Sequence, residues 1–223
     1  MFDRIVLNIP HSVPLAPVTA KQWNDPATAL RASDRWTDWD THRLFASADE
    51  RVIPVRFLHS RFECDAERLP GDPMETQGQG IIYTRFGTGL SRKVSRITEA
   101  ELMHLYWEHT AAVRSLSTPG SLVVDCHSFP ADLADTDVCI GYNEDDSYPE
   151  DAVRVIRDWF TNFGYKVSEN TPYSNAFLGG DGSKSVMLEI NKRLYMTDEK
   201  RIDDDKFAHL HDCIEGCYLK LLT

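Results

Sequence analysis

The sequence has no long apolar segment and no run of basic residues. No stretch approaches the roughly 20 apolar residues that a membrane-spanning helix needs, and the N-terminus lacks the pattern of a signal peptide. Asp and Glu number 35 against 24 Lys and Arg, which gives a formal net charge of -11. This balance argues against a nucleic-acid surface or an anionic-membrane anchor, because both need clustered positive charge. We therefore expect a cytoplasmic protein that binds neither nucleic acid nor membrane.

Cysteine is scarce, and the chain shows no internal repeat or linker. The 5 cysteines are an odd number without the spacing of a disulfide framework, so we expect reduced thiols packed in a core. The chain has 223 residues, of which 42% are hydrophobic, enough for one well-packed domain. A single domain over residues 1–223 is therefore predicted.

Short apolar runs alternate with amphipathic segments along the chain. The runs predict strands over 4–9, 51–58, 81–83, 122–125, 138–141, 165–168 and 186–190, and the segments predict helices over 38–48, 98–116, 150–163 and 207–221. Strands interleaved with helices predict an α/β three-layer sandwich. Its sheet should be mixed, because the strand over 138–141 lacks a clear crossover helix on each side.

Three polar residues stand at or near the ends of predicted strands. His11 follows the first strand, His127 follows the strand over 122–125, and Glu189 lies among apolar residues of the last strand. Ligands of open α/β sheets bind beyond the carboxyl ends of the strands, and neutral imidazole is a favoured zinc ligand. A buried Glu189 would be costly unless it were paired, metal-linked or catalytic. Asp125 is placed to orient His127.

The third metal ligand and a metal-free alternative stay open at this point. Asp38, Asp40 and His42 are candidate ligands, but their spacing prevents all three from facing one point on a helix. Ser128 lacks the nucleophile-elbow motif of serine hydrolases. Cys126 lies in an apolar strand end, where a thiol is usually inert, and its side chain should point away from that of His127.

Basic residues flank these segments and could bind a substrate carboxylate. They are Arg61, Arg68, Lys192 and Arg193. The guanidinium fork suits two-pronged binding of a carboxylate.

Five segments, in this order along the chain, resemble the N-formylglutamate amidohydrolase family. They are Ile9-Pro10-His11-Ser12; Thr37-Asp38-Trp39 with Thr41 and Leu44-Phe45; Ser60-Arg61 with Asp65 and Arg68; Asp125-Cys126-His127-Ser128; and Glu189-Ile190-Asn191 with Leu194-Tyr195-Met196. The chain departs from the family pattern at Val13, where a glycine is often found, at His42, where an acid is common, and at Glu67, where an asparagine is usual.

The resemblance implies a fold similar to the zinc carboxypeptidases and related deacylases, with Zn²⁺ at strand ends. It implies His11, His127 and Asp38 as metal ligands. Glu189 would activate water and protonate the leaving amine. Arg61 would stabilise the oxyanion. Arg61, Arg68, Asn191 and Arg193 would hold the substrate's carboxylates. The expected reaction is hydrolysis of an N-acyl amino acid such as N-formylglutamate. A non-catalytic binding module on the same fold is the alternative, and a homo-oligomer stays open.

Overall fold

The computed structural model describes residues 1–177, 182–197 and 201–222. Its packing divides the chain into two units. Unit 1 comprises Met1–Ile9, Asp40–Val55 and Val113–Thr223, and unit 2 comprises Pro10–Trp39 and Arg56–Ala112. The single domain expected from the sequence stays a prediction.

Eight strands and six α-helices form the described part of the chain. The strands are β1 (Arg4–Ile9), β2 (Val52–Arg56), β3 (Arg85–Phe86), β4 (Leu90–Ser91), β5 (Ser121–Phe129), β6 (Val138–Gly141), β7 (Val167–Glu169) and β8 (Lys184–Asn191). The helices are α1 (Pro17–Ala20), α2 (Pro26–Trp36), α3 (Thr41–Leu44), α4 (Arg96–Leu116), α5 (Glu150–Asn162) and α6 (Asp204–Leu221). None of these helices is both long and apolar enough to cross a membrane.

Unit 1 is built on a six-stranded sheet with the order β2-β1-β5-β8-β6-β7. The pairs β1–β5, β5–β8 and β6–β7 are parallel, whereas β6–β8 is antiparallel. Every residue of β5 is buried, as expected for a central strand of a largely parallel sheet. Helices α5 and α6 pack against each other beside this sheet. The predicted α/β fold with a mixed central sheet flanked by helices is confirmed.

Unit 2 contains a cluster of aromatic rings and a helix, α2, that the sequence did not predict. The rings in contact are those of Trp23, Phe62, Tyr83 and Phe86. Helix α2 begins where Asp25 accepts a hydrogen bond from the backbone N–H of Thr28 and where Pro26 occupies the first turn. The guanidinium of Arg92 donates to the backbone carbonyls of Glu63 and Tyr83, which fastens the β4 end to two other segments.

Three predicted elements are wrong in extent or kind. The helix over 38–48 is only α3, and residues 81–83 form no strand but a single bridge between Gln79 and Tyr83. Strand β5 runs to Phe129 instead of ending at Asp125, because its last residues pair with β8 as far as Asn191. His127 therefore lies inside a strand rather than after one.

A close approach of α5 and α6 supports a stability prediction. Trp159 donates its indole N–H to the carbonyl of Cys213 at 2.8 Å, and a Cβ at Gly216 would lie 2.7 Å from Cζ2 of that ring. Ala is favoured over Gly in a helix interior by about 1 kcal/mol, but overpacking typically costs about 1–3 kcal/mol. We expect Gly216→Ala to lower the free energy of unfolding by up to about 2 kcal/mol in urea titration. The loss should vanish in a Trp159→Leu background, where the ring is gone.

Candidate active site

A row of side chains crosses three adjacent strands of unit 1. His127 on β5 is paired with Glu189 on β8, and Glu189 is paired with Cys139 on β6. Paired residues of neighbouring strands project to the same face of a sheet, so these three side chains lie side by side. All three are buried. The sheet thus places an imidazole directly beside a carboxylate.

Asp125 lies on the same face of β5 as His127 and contacts its ring. Its Oδ1 accepts from Nδ2 of Asn8 at 2.8 Å, and its Oδ2 accepts from the backbone N–H of Phe177 at 3.0 Å. Oδ1 also lies 3.2 Å from Nε2 of His127. A fully buried carboxylate with these partners restricts the orientation of the His127 ring, as outer carboxylates do for metal-binding histidines.

The neighbours of His127 on the opposite face are not arranged as nucleophiles. Ser128 accepts a hydrogen bond from the hydroxyl of Tyr195 at 2.9 Å. Burial raises the pKa of the Cys126 thiol well above its ordinary value, which suppresses the reactive thiolate. Because successive residues of a strand face opposite ways, neither Cys126 nor Ser128 can use His127 as its base.

Unit 2 surrounds His11 with carboxylates. Its Nε2 lies 2.7 Å from Oδ1 of Asp65, and its Nδ1 lies 3.7 Å from Oδ2 of Asp38 and 3.8 Å from Oε2 of Glu67. The backbone N–H of Asp38 donates to the carbonyl of His11 at 3.0 Å, which keeps Asp38 beside it. His11 itself comes two residues after β1 in the chain.

Asp65 is the centre of this cluster and is completely buried. Its Oδ2 accepts from the hydroxyl of Tyr83 at 2.9 Å and from Nη2 of Arg61 at 3.3 Å, and it lies 3.7 Å from Nε of Arg68. Burial raises the pKa of Asp65, but the charges of His11 and Arg61 and its hydrogen bonds outweigh burial and hold that pKa well below its usual range. An ionised Asp65 accepts a hydrogen bond from Nε2–H of His11. When His11 is neutral, this tautomer leaves the lone pair of Nδ1 available.

The surroundings of His11 favour a positive charge at its ring. Burial and the charge of Arg61 lower the pKa of His11, but Asp65 and Asp38 raise it further, and the net shift is upward. A proton and a metal ion compete for the same nitrogen lone pair. Two ligands of one tetrahedral zinc lie roughly 3.4 Å apart at ordinary bond lengths. The Nδ1 of His11 is therefore spaced to share one metal ion with the oxygen of either Asp38 or Glu67 after small movements.

Comparison with known proteins places the chain in an enzyme family. The family described as N-formylglutamate amidohydrolase matches residues 3–196 of the chain. The chain belongs to the N-formylglutamate amidohydrolase family. Membership assigns it to the amidohydrolases, whose substrates are small-molecule amides.

Two solved structures share the fold of this N-formylglutamate amidohydrolase family member. An N-formylglutamate amidohydrolase from Ralstonia eutropha JMP134 is similar with a TM-score of 0.79 and 18% identity, over 99% of this chain and 93% of that chain. The gene product Atu2144 from Agrobacterium tumefaciens is similar with a TM-score of 0.63 and 14% identity, over 100% of this chain and 92% of that chain. At these identities the likeness concerns the fold. No functionally curated protein matches the chain significantly.

The residues expected to bind carboxylates in this amidohydrolase fall into two groups. Arg61 and Arg68 lie beside His11 through their shared contact with Asp65. Asn191 instead donates to the carbonyls of Ala134 and Thr136 and accepts from the backbone N–H of Arg193. These contacts give Asn191 a role in holding the turn after β8.

Four other candidates of this amidohydrolase have the following positions in the chain. Arg193 pairs with Asp137 at 2.9 Å, and Lys192 is buried in the turn that follows β8. Asp40 adopts a left-handed conformation before α3 and lies 3.5 Å from Nη1 of Arg43. His42 lies on α3 in unit 1. Among the alternatives for a carboxylate or histidine ligand, Asp38 lies 3.7 Å from Nδ1 of His11.

Sequence reasoning did not assign Asp65, Tyr83 or Glu67 to the site of this amidohydrolase. Asp65 entered only as part of a family motif, and its four-residue segment with Arg68 was the available signal. Tyr83 gave no signal, because nothing in the sequence indicates that its hydroxyl reaches Asp65. Glu67 appeared as a departure from the family pattern, and that departure places a carboxylate 3.8 Å from Nδ1 of His11.

Proposed function

We propose that this protein is a zinc-dependent hydrolase of N-acyl amino acids, with N-formylglutamate as the first substrate to test. The observation that carries the proposal is the buried His11, whose Nε2 is held by ionised Asp65 while its Nδ1 faces Asp38 and Glu67. Family membership supplies the reaction class. His127 pairs with Glu189 within the sheet, which supports Glu189 as a catalytic base beside the imidazole of His127.

The residues that would hold the metal are His11 and His127, as the family resemblance implies, together with a carboxylate. Asp38 is the carboxylate expected from the sequence, and Glu67 is the alternative, since its oxygen is about as close to His11. Bound zinc would lower the pKa of water to roughly 7 and polarise the amide carbonyl. Asp65 and Asp125 would orient the two imidazoles from behind.

The remaining steps belong to side chains of the chain itself. Glu189 would take a proton from the attacking water and deliver it to the leaving amine nitrogen, as a buried carboxylate near its substrate can. Arg61 would donate hydrogen bonds to the developing oxyanion. Its pKa is lowered by burial but raised more strongly by Tyr83, Asp65, Asp38 and Glu67, so it stays charged throughout.

The proposal is tested by metal content and by a substrate panel. We expect protein purified without added metal to carry about one zinc per chain, and a chelator to abolish the release of formate from N-formyl amino acids. Added zinc should restore the activity. Full activity in excess chelator would contradict the metal assignment. Binding of N-formylglutamate without metal and without hydrolysis would instead identify a binding module.

A further inference from the structure

Arg56 is an arginine that neither the family resemblance nor the cluster around Asp65 uses. It is the last residue of β2 and belongs to unit 2. Its Nε donates to Oγ of Ser12 at 2.8 Å. Ser12 is almost completely buried and directly follows His11 in the chain. One end of the guanidinium is therefore fixed next to the backbone of a proposed metal ligand.

The other end of this guanidinium has no acidic partner. Among the described residues, no carboxylate lies within ion-pair distance of Arg56, and its only hydrogen bond is the one to Ser12. Arg61 and Arg68, by contrast, both contact Asp65, and Arg68 also lies 3.6 Å from Asp72. A guanidinium with both terminal nitrogens available and its Nε anchored is prepared for two-pronged binding of a carboxylate.

The charged residues around His11 also favour Arg56 as the group that binds an anion. Asp38, Asp65 and Glu67 carry three formal negative charges around His11, against two positive charges on Arg61 and Arg68. The positive charges of Arg61 and Arg68 are thus already compensated by the protein. Arg56 is not part of this cluster and forms no ion pair with any described residue, so an anionic substrate group could pair with it directly.

The position of Arg56 near His11 suits the length of an acidic N-acyl amino acid. Consecutive Cα atoms are about 3.8 Å apart, so Ser12 and its partner Arg56 lie near His11. In N-formylglutamate the α-carboxylate and the side-chain carboxylate are three and five bonds from the scissile carbon. An amide carbon near the proposed metal ligand therefore brings a carboxylate into the neighbourhood of Arg56.

We infer that Arg56, anchored by Ser12, binds a carboxylate of the substrate and selects for acidic N-acyl amino acids. The inference rests on the proposed hydrolysis of N-acyl amino acids and names the residue that sets its specificity. Arg61 and Arg68 then act mainly through the cluster around His11 rather than as the selective anion site.

The test compares substrates that differ by one carboxylate. We expect Arg56→Gln to lower kcat/KM for N-formylglutamate by about 10- to 100-fold, mainly through KM, because a hydrogen bond to a charged group contributes about 1.5–3 kcal/mol. For the analogue that lacks the bound carboxylate, either N-formylglutamine or the α-amide, the decrease should be about 3-fold or less. Ser12→Ala should raise KM in the same selective way but by a smaller factor. Arg43→Gln, at a side chain that is 57% exposed, is the matched control and should change neither substrate's kinetics.

Two outcomes would overturn the inference. One is an equal decrease for all three substrates, which would indicate a general structural effect, and the other is no decrease for any of them. Calorimetric binding of N-formylglutamate to Glu189→Gln, with and without Arg56→Gln, tests the inference separately from turnover. Absence of hydrolysis in the wild type combined with Arg56-dependent binding would refute the proposed function and leave the carboxylate site standing.

Discussion

Glu189→Gln should lower kcat by about 10²- to 10⁴-fold while the protein keeps its fold and the proposed zinc ion. General acid–base catalysis contributes a factor of this size, and the amide of glutamine cannot take a proton from water. The substitution preserves the shape of a side chain that is buried in β8 and paired with His127. The measurement is steady-state hydrolysis of N-formylglutamate, together with zinc content and thermal unfolding of the same preparation.

Glu169→Gln is the matched control for this experiment. Glu169 lies on β7 of the same sheet, where it pairs with Arg157 at 3.1 Å and accepts from the hydroxyl of Tyr142. Its replacement should leave kcat unchanged. Wild-type turnover in Glu189→Gln would assign the base to another group. Loss of zinc together with turnover would make Glu189 a metal ligand instead.

Asp65→Asn should weaken zinc binding by about 10- to 100-fold, which is the usual effect of losing an outer carboxylate. It should also lower the free energy of unfolding of the metal-free protein by about 3–5 kcal/mol, because the guanidiniums of Arg61 and Arg68 lose their buried counter-ion. The side chain of Asp65 is completely buried, so water does not reach the place where its carboxylate contacts the two guanidiniums. Chelator competition gives the zinc affinity, and urea titration without metal gives the stability.

Asp72→Asn separates this effect from a general loss of acidic residues. Asp72 lies 3.6 Å from Arg68, but its side chain is 20% exposed and only one ion pair is affected. We expect its stability change to stay within about 1 kcal/mol. Unchanged zinc affinity in Asp65→Asn would show that the orientation of His11 does not depend on Asp65.

Elements with a strong apolar period could be predicted from the sequence, and elements defined by polar contacts could not. Strand β1, helix α5 and helix α6 follow their hydrophobic patterns closely. The end of β5 was missed because His127 and Ser128 interrupt the apolar run, although pairing with β8 keeps the strand intact. The segment over 81–83 was predicted as a strand because it is a short apolar run of β-branched and aromatic residues. In the structure Ile81 and Tyr83 fill hydrophobic clusters instead.

The same distinction applies to the site. His11, His127 and Glu189 could be singled out because each combines a reactive side chain with a place at or within a predicted strand. Asp65 is 54 residues from His11, and Tyr83 is 18 residues from Asp65, and no pattern in the sequence encodes those contacts. Asn191 was expected to bind substrate because the family resemblance implies it, and its amide donates to two backbone carbonyls. Position relative to a strand predicts where a site forms, but not which partner each polar atom takes.

The strand order also sets when the sheet can be completed during synthesis. β8 lies between β5 and β6, yet it is the last of the six strands to leave the ribosome. Until Lys184–Asn191 emerges, the edge of β5 is unpaired and apolar, and β6 with β7 has nothing to join, because β6 pairs with β8 rather than with β5. Exposed apolar edges of this kind promote association between nascent chains. A chain that stops before Lys184 therefore carries two sheet fragments instead of one sheet.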